Sequence, residues 1–500
     1  MSELPKGWAA ERLGRIAEIN PPQPTVSIDD DDMVSFIPMA KVQAESGFID
    51  TPDVRPWAEV KKGYTRFQDG DLLFAKITPC MENGKIAIAK ELRGGVGTGS
   101  TEFHVIRSPQ GFRGEYLFYY LLQREVRRNA RLEMKGAAGQ LRVPASFLEN
   151  LELPIAPAPE QDRIVAEIEK QFTRLDAATG ALNRVQANLK RYRASVLKAA
   201  CEGRLVTTEA ELARKESRDY EPASKLLKRI LHERRVRWEA NSLARAIAGG
   251  KLLTDDSWKH KYKEPAVPDT ASLPDLPEGW CWATIDQVAE CLDSQRVPVN
   301  KDERARRLGD VPYYGANGQV GWIDDYLFDE PLVLVVEDET FVGRQIPFSY
   351  LIAGKSWVNN HAHILRARSG VATEFLNYSL SYYPFTQLTT GSTGRRKLTQ
   401  KALMEAPYAL PPLAEQARIV SEIARLLSLE DSIEEQLSAA LKRGGTLRQA
   451  ALRSAFLGRL VPQNVIDEPA SALLRRIRAE RAEASKRPSR RRTNSGLVHA

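Results

Sequence analysis

The chain repeats itself, and this repetition constrains its fold more than any other sequence feature. Residues 4–8 (LPKGW) return 272 positions later as residues 276–280 (LPEGW). Three further blocks return in the same order: residues 160–168 as 415–423, residues 203–206 as 458–461, and residues 221–230 as 468–477. Four matched blocks in one order indicate a tandem duplication. We call these blocks the frame.

The segments between the blocks differ from each other. Residues 19–135 and 291–390 share little sequence, although both contain short apolar runs separated by Gly, Pro and Asn. Such runs predict strands bounded by turns. Patterns near residues 115–130 and 373–383 predict a helix in each insert. A repeated frame around two unlike α/β inserts indicates one task performed on two different targets.

Long helices are predicted after each insert. Pro159 and Glu160 are typical of a helix start, and no proline follows before residue 204. Heptad positions form two apolar seams, the first with Ile168, Leu175, Leu182, Leu189 and Val196, the second with Ile164, Gln171, Ala178, Val185, Tyr192 and Ala199. The second copy places Glu430 and Gly444 on its seam, and Gly444–Gly445 predicts a kink or fraying. We predict that the two helices pair as an antiparallel coiled coil, with one insert at each end.

The charge of the chain gives only weak evidence for a polyanionic partner. The net charge of +7 comes from 72 Lys and Arg against 65 Asp and Glu, and residues 486–492 alone carry five cations. Without these five, the balance is 67 against 65, so any nucleic-acid binding has to come from local patches. The four cysteines form no C-x-x-C pair, and the sequence contains no secretory signal or apolar run of membrane-spanning length. We therefore expect a reduced, cytoplasmic protein.

The frame resembles a known family. The LPxGW openings, the EQxRIVxEI helix starts and the GRLV helix ends are similar to those of specificity (S) subunits of Type I restriction-modification systems. The resemblance covers nearly the whole chain. It implies two α/β target recognition domains separated by two long helices that form an antiparallel coiled coil, a pseudo-twofold tandem duplication.

The resemblance also implies function and partners. In that family each recognition domain reads half of a split double-stranded DNA site. The coiled coil fixes the gap and docks two modification subunits, which methylate adenine at N6, and restriction (motor-nuclease) subunits join them. The specificity subunit itself is not an enzyme. No cofactor or metal is expected in this chain, since S-adenosylmethionine, ATP and Mg²⁺ are expected on the partner subunits, and no membrane partner is expected.

The repeat suggests boundaries for these parts. The expected segments are recognition domain 1 (1–152), helical region 1 (153–265), recognition domain 2 (266–408), helical region 2 (409–485) and a disordered basic tail (486–500). The tail either adds salt-dependent DNA affinity or contributes nothing. Because the inserts are unlike, we expect an asymmetric DNA target.

Candidate DNA contacts lie in both inserts. The segment 76–85 (KITPCMENGK) resembles one common in the family's recognition domains, and Asn83-Gly84 equally predicts a hairpin turn. Residues 313–318 (YYGANG) resemble the family's YGxNG segment, with a tight glycine turn as the alternative. Two matched glycine loops, residues 135–142 and 390–397, allow close approach to phosphate. The candidate contacts are Lys76, Thr78, Asn83, Lys85, Gln140, Arg142, Tyr314, Asn317, Arg344, Arg395, Arg396 and Lys397.

The repeated helix starts and ends are candidates for docking the partner subunits, because each copy of the frame offers a similar surface. These partner-binding candidates are Glu160, Gln161, Arg163, Arg204, Glu415, Gln416, Arg418 and Arg459.

Several motifs resemble catalytic or ligand-binding sites. Residues 19–22 (INPP) imitate the catalytic tetrapeptide of adenine methyltransferases, but Gln23 stands where an aromatic residue is needed. The glycines of residues 95–99 precede a strand-like segment, where a phosphate site requires a helix start. His361 and His363 share a predicted strand face with no third metal ligand nearby, which favours hydrogen-bonding roles. The alternatives left open are a self-sufficient DNA adenine methyltransferase and a coiled-coil scaffold without DNA specificity.

Overall fold

The computed structural model describes residues 4–22, 27–137, 139–250, 255–339, 341–344, 346–391 and 396–486, and excludes the side chains of residues 339 and 484–486. Gln23, Arg395 and all of the expected basic tail beyond residue 486 lie outside the described residues. The chain divides into two compact units. Unit 1 consists of Met1–Asn183 and Ser438–Ala500, and unit 2 is Arg184–Leu437.

Two stretches rich in strands alternate with two stretches of helix. In the first, the strands are β1 (Ala9–Arg12), β2 (Glu18–Ile19), β3 (Met33–Ile37), β4 (Asp53–Pro56), β5 (Thr65–Gln68), β6 (Leu72–Ala75), β7 (Ile86–Ile88), β8 (Val96–Gly99), β9 (Phe103–Arg107) and β10 (Glu152–Ile155). Its helices are α1 (Leu13–Ile16), α2 (Trp57–Val60), α3 (Gly114–Leu121), α4 (Arg124–Leu132) and α5 (Ala145–Asn150). Three helices follow: α6 (Ala158–Cys201), α7 (Glu209–Glu216) and α8 (Ala223–Ala248).

The second stretch follows the same order. Its strands are β11 (Cys281–Thr284), β12 (Ala289–Cys291), β13 (Val311–Gly315), β14 (Gly318–Ile323), β15 (Phe328–Asp329), β16 (Leu332–Val336), β17 (Asp338–Glu339), β18 (Ser349–Ile352), β19 (Lys355–Val358), β20 (Ala362–Ala367), β21 (Arg396–Lys397) and β22 (Pro407–Leu410). Its helices are α9 (Ile285–Val288), α10 (Lys301–Arg306), α11 (Thr373–Ser381) and α12 (Gln400–Met404). The chain continues with α13 (Leu413–Phe456) and α14 (Ala470–Lys486).

The sheets of the two units share one plan. In unit 1, β2-β9-β6-β7 form an antiparallel sheet, and β4-β3-β8-β5 form a second sheet whose β3–β8 pair is parallel. In unit 2, β12-β20-β16-β18 and β14-β13-β19-β15 take the same places, with β13–β19 as the parallel pair. A two-stranded ladder closes each insert, β1 with β10 and β11 with β22. The predicted mixed α/β class and the duplication are confirmed, and most strand pairs are antiparallel.

The two long helices pack against each other in opposite directions within each unit. In unit 1, the start of α6 shares a buried core with the end of α13, to which Ile168 and Leu452 both belong. The Arg448 guanidinium lies 4.8 Å from the ring centre of Phe172. In unit 2, the end of α6 (Leu197) shares a core with the start of α13 (Ile423). Apolar burial holds these pairings together. The predicted antiparallel pairing is therefore confirmed.

Two details of the helix prediction are wrong. α13 runs through Gly444 and Gly445 without a break. Each glycine costs only about 1 kcal/mol, which the tertiary packing of a long helix outweighs. The second predicted seam is largely open, because Val185 and Tyr192 are exposed. The buried stripe instead uses Phe172 at one end and Leu197 at the other.

The repeated blocks form the same bonds in both units. In unit 1, the Trp8 indole donates to the buried Glu160 carboxylate at 3.1 Å, and in unit 2 Trp280 donates to Glu415 at 2.8 Å. The repeated glycine after each long helix has a positive φ, and a side chain there would collide with the opposite opening block: Gly458 meets Pro5, and Gly203 meets Pro277. The LPxGW opening of each insert is thus the docking face for the end of the other copy's helix.

The helices that follow these glycines also bond to the LPxGW openings. The amide of Ala470 at the start of α14 donates to the carbonyl of Gly7 at 2.9 Å in unit 1. The amide of Ala223 at the start of α8 donates to Gly279 at 2.8 Å in unit 2. Each insert therefore sits on the helix end that is distant in sequence, which explains why all four blocks are repeated together. Among the described helices, none has the length and apolar character needed to cross a membrane.

Candidate nucleic-acid interface

Unit 1 brings two of the predicted segments together. Residues 76–85 link β6 to β7, and their start pairs with the first glycine loop through an isolated bridge between Ile77 and Arg142. The amide of Thr78 donates to Leu141 at 3.0 Å, and its hydroxyl accepts from the Leu141 amide at 3.2 Å. The predicted hairpin is confirmed, since β6 and β7 are antiparallel neighbours. Lys76, Thr78, Gln140 and Arg142 consequently lie on one edge.

Two cations of this edge already have partners. The Arg142 guanidinium donates to both oxygens of Glu102, at 2.7 and 3.0 Å. The hydrogen bond from Arg142 holds the pKa of Glu102 below its ordinary value. Lys85 donates to the carbonyl of Met39 at 2.9 Å, while Asn83 is exposed. A phosphate on this edge has to compete with Glu102 for Arg142.

Unit 2 builds the equivalent edge with different residues. β17 follows β16 and pairs with β21 from the second glycine loop, so Asp338 lies opposite Lys397. Lys397 is 3.1 Å from Glu337, which also accepts from Arg296 at 2.6 Å. Burial raises the pKa of Glu337, but the hydrogen bonds from Arg296 and Lys397 outweigh burial and lower the pKa below its ordinary value.

Arg396, the other described cation of this loop, is half-buried. Its guanidinium donates to the hydroxyl of Thr389 at 2.6 Å and to the Thr389 carbonyl at 2.8 Å. These bonds join two residues on either side of the loop, and Arg396 keeps part of its surface accessible.

The remaining candidates of unit 2 also come together. Asn317 sits in the turn between β13 and β14, and its side-chain oxygen accepts from Arg344 at 2.8 Å although the two residues are 27 positions apart. Tyr314 on β13 is half-buried, with its ring centre 6.1 Å from that of Tyr350. The tight glycine turn is present, and Tyr314 keeps part of its surface accessible.

A chain of hydrogen bonds links this cluster to the second glycine loop. The amide of Asn359 donates to Tyr314 at 3.0 Å, and its side chain accepts from the amide of His361 at 2.9 Å. The His361 ring lies 2.7 Å from Asp338, the residue opposite Lys397. The predicted contacts in unit 2 therefore belong to one connected surface, which the sequence alone did not show.

Each unit also buries one histidine in the same position. His104 Nε2 lies 2.8 Å from the carbonyl of Val143, and Nδ1 lies 3.0 Å from Asn20. His363 Nε2 lies 2.9 Å from the carbonyl of Leu398, and its Nδ1 lies 2.5 Å from Asp293. These histidines tie the sheet to the glycine loop. Asn20, the first residue of the methyltransferase-like NPP run, is therefore part of a structural hydrogen bond.

The expectation that His363 has no further metal ligands nearby is wrong. The side chains of Cys291, Asp293 and His363 bring their ligand atoms within 4.8 Å of one another. Both ring nitrogens of His363 already face acceptors, and His104 makes matching contacts although no such ligand group surrounds it among the described residues. Burial raises the pKa of Cys291 to about 12, which disfavours the thiolate that a metal requires. This arrangement matches a structural hydrogen-bond cluster.

Comparison with known proteins identifies the frame. The family model for the Type I restriction modification DNA specificity domain matches residues 5–187 and 277–443, more than half of the chain. The chain belongs to this family. The EcoAI specificity subunit from Escherichia coli is 28% identical over 85% of this chain and 78% of its own length. The EcoEI specificity subunit, also from Escherichia coli, is 26% identical over 88% and 80%.

A solved structure has the same fold. It was reported under "Structural basis underlying complex assembly and conformational transition of the type I R-M system" and covers 92% of this chain and 100% of its own, with a TM-score of 0.60 and 20% identity. At that identity the similarity supports the fold alone. The predicted family and fold class are thus confirmed by independent comparisons.

The family's repeated EQ pair is used inside each unit. Glu160, Gln161, Glu415 and Gln416 are all at most 1% exposed. The Gln161 side chain accepts from the Arg113 amide at 3.3 Å, and that of Gln416 accepts from the Ala372 amide at 2.8 Å, so each fastens the long helix to the insert. This placement argues against direct partner contact by these four residues.

The two arginines that follow the EQ pairs are half-buried and also bond within their unit. Arg163 donates to Asp467 at 2.6 Å, and Arg418 bonds Glu209. Arg204 and Arg459 are exposed and stay predictions as partner contacts.

Sequence reasoning missed three residues of the candidate interface. Glu102 and Glu337 neutralise predicted contact cations, and acids distant in sequence give no signal of that kind. Trp322 on β14 is 55% exposed beside the hairpin that carries Asn317. Its alternation with buried Ile323 was the available signal.

Proposed function

We propose that this chain is the DNA-recognition subunit of a Type I restriction-modification complex, with each unit reading one half of a bipartite, asymmetric double-stranded site. One observation supports this most. The two units keep the same frame bonds, yet the residues on the equivalent edges differ, with Lys76 and Arg142 in unit 1 and Glu337 and Lys397 in unit 2. A shared scaffold with divergent contact edges is what two different half-sites require.

The contact residues proposed for DNA are the twelve predicted from sequence, with Trp322 added. On binding DNA, Arg142 would exchange its bond with Glu102, and Lys397 its bond with Glu337, for a charge-assisted hydrogen bond to a phosphate or to the edge of a guanine. Asn317 and Arg344 would act as one unit, since Arg344 already orients the Asn317 amide. Because both edges belong to one chain, making the first contact raises the effective concentration of the second.

We further propose that the chain performs no chemistry. Two modification subunits, which carry out adenine-N6 methylation, and restriction subunits would dock on it, and S-adenosylmethionine, ATP and Mg²⁺ would be held by those partners. Exposed apolar side chains on the long helices, including Val185, Tyr192 and Leu429, are suited to docking in addition to Arg204 and Arg459. Cytoplasmic localisation and the five-segment division remain predictions.

Selection from a random duplex library tests this proposal. We expect the chain with its modification subunits to enrich a split sequence with two unlike halves and a fixed gap. Replacing Arg395 and Arg396 together by Ala is expected to weaken binding by about 1–3 kcal/mol per lost specific contact and to leave partner docking unchanged. Absence of enrichment with partners present would contradict the proposal. Binding of S-adenosylmethionine to the isolated chain would favour the methyltransferase alternative instead.

A further inference from the structure

Unit 2 contains a basic cavity whose lining includes none of the proposed DNA contacts. It has a volume of about 480 Å³ and lies between α8, the segment 261–263, α9, the end of β20 and α12. We call it the arginine pocket. Its cationic lining residues are Arg234, Arg237, Arg245, Lys261, Lys263 and Arg368, against the two acids Asp286 and Glu290. All of its lining residues belong to unit 2.

The acids neutralise only a small part of this charge. Asp286 is shared, since Arg234 lies 3.1 Å from it and Arg368 3.9 Å. Glu290 is 3.2 Å from Arg366, which is outside the lining. Arg237, Arg245, Lys261 and Lys263 have no carboxylate within 4.0 Å among the side chains that the structure describes. The pocket therefore carries an uncompensated positive charge.

Arg368, a largely buried cation of the pocket, also lies where positive charge exceeds negative charge. Arg368 is 13% exposed, and burial together with the charge of Arg234 lowers its pKa. Two guanidiniums held near one carboxylate in a recess repel each other, and an anion beside them would relieve that repulsion.

An aromatic wall borders the cations. Trp238 lines the pocket, with its ring stacked on Trp258 at a centroid distance of 5.9 Å. The Tyr262 hydroxyl accepts from Arg234 at 2.7 Å and fixes that guanidinium. The site is therefore pre-organised, with arginine donors held in place before a ligand arrives.

Several lining cations of the pocket have no equivalent among the described residues of unit 1. The repeat aligns Arg234 with Arg481, which instead donates to the carbonyl of Gly14 at 3.0 Å. Arg237 aligns with Ala484, and Arg368, five residues after His363, corresponds to Pro109, five residues after His104. At these positions the two units differ, so the task that both units share does not explain the cations of unit 2.

Most of the pocket lies away from the proposed DNA edge. Arg368 follows the carboxyl end of β20, about 20 Å along the strand from His361 on the edge. One lining residue is nearer, since Gln400 is three residues after Lys397 of the edge.

We propose that the arginine pocket binds a compact anion with several phosphate groups, such as a nucleoside triphosphate or inorganic polyphosphate. Guanidiniums bind phosphate oxygens through paired donors, and lysines add point charges. The volume lies in the range of small-ligand pockets. The proposal is independent of DNA recognition by the two edges.

Calorimetric titration of the full chain with sodium tripolyphosphate, and separately with ATP, tests this. We expect binding by the unaltered chain that weakens as salt rises. The double variant Arg237→Glu/Lys263→Glu should lose at least tenfold in affinity, because two exposed, unpaired cations become anions. The matched control Lys225→Glu/Lys228→Glu makes the same charge change on α8 outside the pocket and should keep its affinity.

The outcomes separate as follows. Binding of both probes supports recognition through phosphate alone, and binding of ATP only supports a site in which Trp238 also contacts the base. If neither probe binds, or if the control loses as much affinity as the pocket variant, the proposal is overturned. It is equally overturned if the pocket variant alters duplex DNA binding while neither probe binds, since the cations would then extend a DNA surface. Circular dichroism of each variant shows whether it is folded.

Discussion

Units 1 and 2 agree in their frame and differ at their edges. Both bury a tryptophan against a helix-start glutamate, and both clamp a glycine loop with a histidine. At the edges, the acid that restrains the loop cation comes from different places: Glu102 lies just before β9, and Glu337 just after β16. The fold therefore requires the same bonds inside the frame of both units, whereas the charged residues on the edges can differ between the units.

A second difference lies in the helices that follow the frame. α8 has 26 residues, and α14 is described for 17 residues, up to the last described residue, Lys486. Within this shared length, α8 carries Arg237 and Trp238 of the arginine pocket where α14 has Ala484 and Ser485 in the sequence. At these positions, the arginine pocket uses side chains that the other copy lacks.

The sharpest test of the shared frame removes its tryptophans. Trp8→Ala and Trp280→Ala should each destabilise the protein by about 3–5 kcal/mol, because each deletes a buried indole and its bond to a buried carboxylate. Urea unfolding measures both effects. Trp322→Ala is the control and should cost less than about 1 kcal/mol, since its indole is largely exposed. A large loss of unfolding free energy in one tryptophan variant and a small loss in the other would show that the two copies of the frame do not stabilise the protein equally.

The edges are compared by Arg142→Ala and Lys397→Ala. Each should weaken specific DNA binding by about 1–3 kcal/mol and relax preference in one half-site only, because each cation sits on one unit's edge. Library selection with partner subunits reads out both halves. Lys198→Ala, on an exposed face of α6, should change neither half. Relaxation of both halves by either edge variant would break the assignment of one half to each unit.

Two arginines on the long helices, one in each unit, should differ less in their effect on stability. Arg448 in unit 1 is 18% exposed and contacts both Asp176 and the ring of Phe172, so Arg448→Ala should cost about 1–2 kcal/mol. Arg193 in unit 2 is 40% exposed, with its nearest carboxylates at 3.8 and 3.9 Å, so Arg193→Ala should cost less than about 0.5 kcal/mol. Thermal and urea unfolding of the two variants decide the order, and a reversed order would contradict this account.

The smallest effect concerns pH. Burial lowers the pKa of His104, opposed by its bond to the Val143 carbonyl. The unfolded chain therefore binds this proton more readily than the folded one. Stability from His104 is complete above its ordinary pKa of about 6.5 and is lost as pH falls through the lower folded value. In His104→Gln, the free energy of unfolding should differ less between about pH 7.5 and about pH 5.5 than it does in the unaltered chain. An unchanged pH dependence in that variant would contradict the role of His104.

The repeat predicted the architecture because its blocks are the contacts of the frame. Gly203 and Gly458 are needed where the chain turns against Pro277 and Pro5, and that close approach is visible as matched glycines in the sequence. The seam was less predictable, since Val185 has the right spacing and yet is exposed. Heptad spacing alone does not show where each unit covers the helix.

The candidate interface was predictable in its segments and not in its electrostatics. The glycine loops and the segment 76–85 indicated which stretches meet. That Arg344 orients Asn317, and that Glu337 holds Lys397, depends on tertiary contacts between distant strands. Sequence spacing gives no signal for such pairs. The EQ pair shows the opposite error: a repeated polar motif indicated a surface role, and the structure buries it.

Bipartite, asymmetric recognition by two unlike edges on one frame is tested most directly by mapping N6-methyladenine across the genome of cells that express this chain and of cells that lack it. We predict a split motif with two unlike halves and a constant gap, methylated only when the chain is present. A continuous or symmetric motif, or methylation that persists without the chain, would contradict the account.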